Sequence, residues 1–328
     1  MPQYAEQFNM TSSQYLNTGV NSQYLVPGFI HKVVLVPKDT MITQTQSQSM
    51  YATAQAGIAN NTDSSRWFPI GNFTAMEDKS SKAVVNTTSI GSFVFIRDGK
   101  YHIEFTYMRG GVQLHNKLRK KFHLQQDSWE MLIVDKDTNC FMGTKPALNS
   151  SGYVTKGYTL EQIYVEQYDF NNATDEAKFR IGFVFADVDE FNERISIIQV
   201  PDSQPLMLLN GLKDLEFQTF PAPYQVLTAA VAKLRVTTGG GATDLYTLYG
   251  SALVAITAQF SFRDASGNAL TCTITLDATT QTLIFTFSGA AYTALASGAI
   301  IDCFSPSITQ LIAGSIPGYA NTSFQLTK

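Results

Sequence analysis

Residues 92–108, SFVFIRDGKYHIEFTYM, carry the strongest fold signal in the chain. Two runs of aromatic and β-branched residues flank Asp98-Gly99, and Asp-Gly is a pair that tight turns between antiparallel strands favour. In the second run, apolar side chains alternate with polar ones from Tyr101 to Met108, as in a strand with one buried face. The stretch therefore predicts a β-hairpin with strands over residues 92–96 and 102–108.

Outward from this hairpin, clusters of β-branched and aromatic residues predict further strands at 30–36, 130–134, 140–143, 160–168 and 178–186. Leu114, Leu118 and Phe122 recur every four residues, which predicts a short amphipathic helix over 112–122. Residues 187–192 are interpreted as a turn or the start of a short helix. The polar stretch 38–64 is interpreted as a long loop or arm, and loops of that length usually serve function or an interface.

The composition changes after Pro221 and Pro223. Residues 223–328 contain only four Lys or Arg and four Asp or Glu. Short strands are predicted at 233–237, 253–262, 269–276 and 282–288, separated by turns such as 266–268. This spacing is typical of a small β-sandwich, and an immunoglobulin-like module is the natural candidate, although the Cys…Trp…Cys spacing of antibody domains is missing.

The predicted fold class is therefore mainly β. We expect an extended N-terminal arm over 1–28 and a β-rich assembly domain over 29–222, a barrel or sandwich with one or two short helices. The immunoglobulin-like β-sandwich then covers 223–328. Two domains suit a chain of 328 residues.

Charge is scarce. Charged residues make up 15% of the chain and the net charge is −4, whereas soluble domains average about 25% charged residues. Such a surface either is covered by neighbouring molecules or is simply neutral. The N-terminus has no signal-peptide pattern, and no apolar run approaches the ~20 residues that cross a bilayer. We therefore expect no membrane span and synthesis in a cytoplasm.

The first thirty residues carry one charge, Glu6, among Gln, Asn, Ser and Thr. Four aromatic residues are spaced along the predicted arm: Tyr4, Phe8, Tyr15 and Tyr24. An arm of this composition can gain burial on a neighbouring subunit, so these four are predicted inter-subunit contacts. The alternative is a disordered tail.

Known chemical motifs are not found in the sequence. The three cysteines form no CxxC pair, which argues against a disulfide framework or a thiolate zinc site, though a Cys272–Cys303 bridge is left open. Asp135 begins a calcium-like DxDxN pattern, but Cys140 and Pro146 occupy positions that need Gly and Glu. No phosphate loop, dinucleotide motif or nucleophile elbow is present. We predict no catalytic, cofactor-binding or metal residues, and no enzyme.

Two weaker signals keep other functions open. Lys117, Arg119, Lys120 and Lys121 form a basic run on the predicted helix, which indicates weak phosphate contact or inter-subunit salt bridges, and at most passive contact with DNA. An enzyme would need a carboxylate pair such as Glu104 with Asp187, brought together by folding.

Several motifs between Trp67 and Phe185 resemble those of virion structural proteins from tailed bacteriophages that infect Bacteroidota. They are WFPIG (67–71), RDGKY (97–101), GGVQLHNKLR (110–119), WEMLIVD (129–135) and FRIGFVF (179–185). The resemblance covers about 120 residues and includes no catalytic fingerprint. The order of a β-rich domain and an immunoglobulin-like domain is also similar to phage tail-tube and capsid proteins.

The resemblance implies a non-enzymatic virion protein that self-assembles, as a tail tube or tail/neck ring component. Its partners would be copies of itself and other virion proteins, and it would be made in the bacterial host cytoplasm. A capsid or capsid-decoration protein is the alternative of the same class. The alternative of another class is a glycan- or host-surface-binding module, with Tyr246, Tyr249 and Tyr292 of the C-terminal domain stacking on sugars.

Overall fold

The computed structural model describes residues 30–87, 93–108, 111–135, 139–146, 152–171, 176–201, 203–219, 230–238 and 245–328. The fold is mainly β with a few short helices, which confirms the predicted class. No helix in these ranges has the length and apolarity needed to cross a membrane.

The described chain forms two compact units. The first contains residues 30–58 and Ser64–Asn210, and the second contains Ala59–Asp63 and Gly211–Lys328. The division therefore falls at Asn210 rather than at the composition change at 222. The reason is that the strand Lys213–Thr219 pairs with Val231–Thr238 of the second unit.

The first unit contains fourteen strands and four helices among the described residues. They are β1 (Ile30–Pro37), β2 (Met41–Thr43), α1 (Gln44–Gln48), α2 (Met50–Ile58), β3 (Phe68–Gly71), β4 (Ala75–Asp78), β5 (Val84–Thr87), β6 (Phe93–Arg97), β7 (His102–Met108), α3 (Val112–Phe122), β8 (Gln125–Gln126), β9 (Trp129–Asp135), β10 (Cys140–Thr144), β11 (Tyr153–Lys156), β12 (Tyr158–Val165), β13 (Lys178–Phe185), α4 (Asp189–Asn192) and β14 (Ile195–Gln199).

Twelve of these strands form one antiparallel sheet. The main path runs β2-β11-β10-β9-β12-β13-β7-β4, and β1, β3, β8 and β14 pair beside it. β9 is buried along its whole length, because β1 pairs along one edge while β10 and β12 share the other. Apolar side chains from β7, β9, β12 and β13 meet in one core rich in phenylalanine. The predicted strands at 30–36, 130–134, 140–143 and 178–186 are confirmed, as is the helix over 112–122.

The predicted hairpin at Asp98-Gly99 is wrong in its pairing. β6 pairs with β5, whereas β7 pairs with β13 and β4. Neither Asp98 nor Gly99 has the positive φ that a type I′ turn requires. Gly99 instead lets the backbone of Ser81 approach, since a Cβ at this position would overlap the Ser81 carbonyl. Ser81 N donates to Lys100 O at 2.9 Å, so the chain passes alongside an earlier segment.

The predicted loop over 38–64 is also wrong, because it contains β2, α1 and α2. Thr43 starts α1 with a capping box, in which Gln46 N donates to Thr43 Oγ1 at 3.2 Å and Thr43 N donates to Gln46 Oε1 at 2.9 Å. Met50, Ala54 and Ile58 recur every four residues along α2 and are buried. The helical signal was therefore present in the sequence.

The second unit contains two sheets and three helices among its described residues. Its elements are β15 (Lys213–Thr219), β16 (Val231–Thr238), α5 (Leu245–Ala255), β17 (Ser261–Asp264), β18 (Thr271–Asp277), β19 (Thr282–Ser288), α6 (Ala290–Ala294), β20 (Ile300–Phe304), α7 (Ile308–Ala313), β21 (Tyr319–Ala320) and β22 (Ser323–Thr327). The sheet β18-β19-β16-β15-β21 and the sheet β17-β20-β22 share one core.

Contacts between aromatic rings join these two sheets. Phe217 stacks on Phe324 with ring centroids 4.2 Å apart, and Phe262 meets Phe285 edge to face at 5.8 Å. The predicted strand over 253–262 is wrong, because α5 extends to Ala255 and β17 begins only at Ser261. Leu253 and Ile256 are buried from this helical stretch. The immunoglobulin-like topology is not confirmed.

The segment Ala59–Asp63 belongs to the second unit although its neighbours in sequence belong to the first. Asn61 Oδ1 accepts from Ile308 N at 2.8 Å, and Asn61 Nδ2 donates to Thr309 Oγ1 at 3.2 Å. Asn61 thereby binds the first turn of α7.

Candidate functional site

The basic run on α3 is divided between internal and exposed roles. Arg119 Nη1 donates to Val165 O at 2.6 Å, and Lys121 Nζ lies 4.7 Å from the centroid of the Phe68 ring. These two side chains anchor the helix to the first unit. Lys117 and Lys120 are exposed, so phosphate or salt-bridge contact stays a prediction for them.

The predicted arm residues Tyr4, Phe8, Tyr15 and Tyr24 lie outside the described residues. Their predicted contact with a neighbouring subunit therefore stays a prediction.

The carboxylate pair that an enzyme would need is not formed. Glu104 lies opposite Gly182 in the β7–β13 register, and Asp187 follows five residues later along the chain. At roughly 3.3 Å per residue, this places them about 16 Å apart. Asp187 instead pairs with Arg194, and Glu104 accepts a hydrogen bond from Tyr164.

The calcium-like turn is held by a single side chain. Asn139 Nδ2 donates to Val200 O at 3.0 Å, and Asn139 Oδ1 accepts from Leu206 N at 2.8 Å. Asn139 thus ties this turn to the end of the first unit. Within the described ranges, no group of three or more His, Cys, Asp or Glu residues is placed to hold a metal ion.

A buried acid–base cluster joins β9, β11, β12 and α4. Glu190 Oε1 lies 2.8 Å from Lys156 Nζ, and both oxygens of Glu190 accept from Thr159. Glu130 is 1% exposed; its Oε1 accepts from Asp39 N at 3.1 Å and lies 3.7 Å from Lys156 Nζ. Its Oε2 has no hydrogen-bond partner among the described atoms.

Two carboxylates in this cluster therefore share one ammonium group, and Glu190 is the better paired of the two. Burial raises the pKa of Glu130 to about 7, although Lys156 and the Asp39 N–H act in the opposite direction. The carboxyl of Glu130 consequently titrates near neutral pH inside the fold. The sequence gave no sign of this, because Glu130 and Glu190 are sixty residues apart.

A second polar chain lies on the β7–β13 sheet. His102 Nε2 is 2.7 Å from the Tyr164 hydroxyl, which donates to Glu104 Oε1. Burial and the hydrogen bond to Glu104 raise the pKa of Tyr164. Gly182 provides the space for this arrangement, because a Cβ there would overlap the Tyr164 ring. The chain orders three side chains on one face of the sheet.

The most unusual surface of the first unit is the two-stranded sheet β5–β6, which we call the exposed hairpin. Within the described ranges, its strands pair only with each other. Val84, Val85 and Phe95 are all exposed, and Phe95 is 57% exposed. A lone two-stranded hairpin is at best marginally stable in water. Apolar side chains on such an element gain stability when another surface covers them.

A second exposed apolar surface, the distal patch, consists of Met108, Val112, Leu114 and Phe170. Phe170 is 75% exposed, and the other three are more than two-fifths exposed. Met108 lies opposite Lys178 in the sheet, and Lys178 bridges to Asp169.

Ring contacts bring the rest of the distal patch together. The Tyr168 ring lies 5.3 Å from the Phe170 ring and 5.6 Å from the ring of His115 on α3. The helix that carries Val112 and Leu114 thereby sits beside Phe170. The sequence indicated the strand and the helix, but not that their ends form one apolar surface.

The tyrosines proposed to stack on sugars lie in the core of the second unit or against it. Tyr292 is 8% exposed and stacks on Phe287 at 5.4 Å between centroids. Tyr246 and Tyr249 pack against the same core, and Tyr249 meets Tyr319 edge to face at 5.8 Å. These contacts account for the three rings through packing.

No protein-family model matches the chain, and no curated protein matches it in sequence.

Proposed function

We propose that the chain is a non-enzymatic structural protein that assembles with copies of itself. The exposed hairpin carries this proposal, because Val84, Val85 and Phe95 place apolar surface on a sheet of only two strands. Covering such a surface with a neighbouring molecule gains roughly 25 cal/mol for each Å² of apolar area removed from water. The sparse charge of the chain fits extensive contact between subunits.

Within that class, we propose a bacteriophage virion component of the tail tube or tail/neck ring type. The support is the resemblance of the motifs between Trp67 and Phe185 to virion proteins of tailed phages. A capsid or capsid-decoration protein would present the same apolar surfaces. The shape of the assembled particle separates these alternatives, since a tube or ring differs from a shell.

The test compares the full chain at rising concentration, by light scattering after size exclusion and by negative-stain electron microscopy. Wild-type protein is expected to form rings, tubes or other closed particles, and Phe95→Asp is expected to remain smaller. Leu208→Asp is the matched control, because Leu208 is 63% exposed and lies outside the hairpin. A wild-type chain that stays monomeric at every concentration overturns the proposal.

A further inference from the structure

We infer that self-association is head to tail, with the exposed hairpin of one copy seated on the distal patch of the next copy. This inference rests on the proposed function and adds the identity of the two contacting surfaces. It follows from where the two surfaces lie, from their charge and from their shape.

The two surfaces lie at opposite ends of β7. The exposed hairpin leads directly into the start of β7, where Ser81 N donates to Lys100 O. The distal patch begins at Met108, where β7 ends. Six residues separate His102 from Met108, which corresponds to about 20 Å at roughly 3.3 Å per residue. One copy therefore cannot bring its own two surfaces together across this length of sheet.

The register of β13 confirms this polarity. Because β13 runs antiparallel to β7, Phe185 N donates to Tyr101 O at the hairpin end, at 3.1 Å. At the other end, Lys178 faces Met108 of the distal patch. Both strands thus place the two apolar surfaces on opposite edges of the first unit.

The charges around the two surfaces differ in sign. At the hairpin end, α4 lies beside Tyr101 and Asp98, and the exposed acidic residues outnumber Lys82 and Arg97. These acidic residues are Asp78, Asp98, Asp189 and Glu193.

Helix α3, at the patch end, has four basic residues and no acidic one, and Lys178 adds a fifth beside the acidic Asp169 and Glu176. An acidic hairpin end and a basic patch end attract each other, and like ends repel.

The two surfaces also differ in shape, since one is a two-stranded ribbon and the other joins a strand end to a helix. A contact between two different surfaces is heterologous, so each bound copy still offers one unused surface at each end. Such contacts generate closed rings or open filaments rather than two-fold dimers. This geometry matches the ring or tube assembly proposed for the chain.

The experiment uses two full-length variants, Phe95→Asp in the hairpin and Phe170→Asp in the patch. Both side chains are mostly exposed, so circular dichroism and thermal melting are expected to match wild type. Each variant alone is expected to remain monomeric where wild type assembles. An equimolar mixture is expected to form one-to-one complexes and nothing larger, because one intact hairpin meets one intact patch. Leu208→Asp is again expected to assemble as wild type does.

The outcomes separate the inference from the proposed function. A monomeric wild type overturns the proposed function and, with it, the inference. Wild-type assembly that Phe170→Asp leaves unchanged overturns the head-to-tail contact alone. A mixture of the two variants that stays monomeric, or that forms particles larger than dimers, also refutes the head-to-tail contact. Dimers confined to the mixture support it.

Discussion

Replacing Glu130 with Gln is expected to remove a pH dependence from the stability of the first unit. The folded chain holds a proton on Glu130 more tightly than the unfolded chain does, because burial raises its pKa from 4.5 to about 7. The stability that this proton contributes is fully present below pH 4.5 and is lost as pH rises through 7. Gln cannot titrate, and it keeps an oxygen that accepts from Asp39 N.

The size of the effect follows from the same displacement. Each pKa unit is worth about 1.4 kcal/mol, so a change from 4.5 to about 7 corresponds to roughly 3 kcal/mol at most. The free energy of unfolding of Glu130→Gln, minus that of wild type, is therefore expected to climb by up to ~3 kcal/mol between pH 4.5 and pH 7.5.

Tryptophan fluorescence reports this unit selectively. The chain has two tryptophans, Trp67 and Trp129, and both lie in the core of the first unit or at its edge. Denaturant titrations at several pH values in the Phe95→Asp background give the two free energies without assembly. Glu161→Gln is the matched control, because Glu161 is exposed and pairs with Lys100 at 2.5 Å. A difference between Glu130→Gln and wild type that stays constant over this pH range refutes the reasoning.

Three further changes can be followed by the same fluorescence titrations. Burial lowers the pKa of Lys32 from 10.5 to about 8, so stability is expected to rise between pH 8 and 10.5, and Lys32→Met is expected to flatten that rise; an unchanged slope contradicts this. Thr43→Ala removes the cap of α1 and is expected to cost about 1 kcal/mol, while Thr43→Ser retains most of it. Gly182→Ala places a methyl against the Tyr164 ring and is expected to cost about 1–3 kcal/mol, part of which Tyr164→Ala recovers; equal stability of Gly182→Ala and wild type would speak against the close packing.

Strand positions in the first unit were predictable from local pattern, whereas strand partners were not. The run 178–186 and the run 130–134 carry their own β-branched and aromatic signal, and both form strands. The partner of β6 depends on a distant segment, because Ser81 approaches Gly99 and redirects the chain. A turn motif read in isolation carries no information about that approach.

The helices in 38–64 show a different limit. The Thr43–Gln46 capping box and the four-residue recurrence from Met50 to Ile58 are local signals. The polar, Gln-rich composition masked them, since such composition is also typical of loops. Burial of Ala54 beneath the first unit depends on tertiary packing.

The candidate surfaces were only partly predictable. The strand that contains Phe95 was predicted, but its exposure follows from pairing with β5 alone, which the sequence does not state. Val84 and Val85 sit in a short β-branched run that went unpredicted. The basic helix was predicted, yet Arg119 and Lys121 serve internal contacts that depend on Val165 and Phe68.

The excursion of residues 59–63 makes the two halves of this molecule inseparable by a single cut. Severing the chain before Gly211 would strip Asn61 from Ile308, its partner 247 positions downstream. The C-terminal half therefore cannot be transplanted as a self-sufficient cassette. During synthesis on the ribosome, a short early loop must wait for almost the entire remaining polypeptide before its own hydrogen bonds can close.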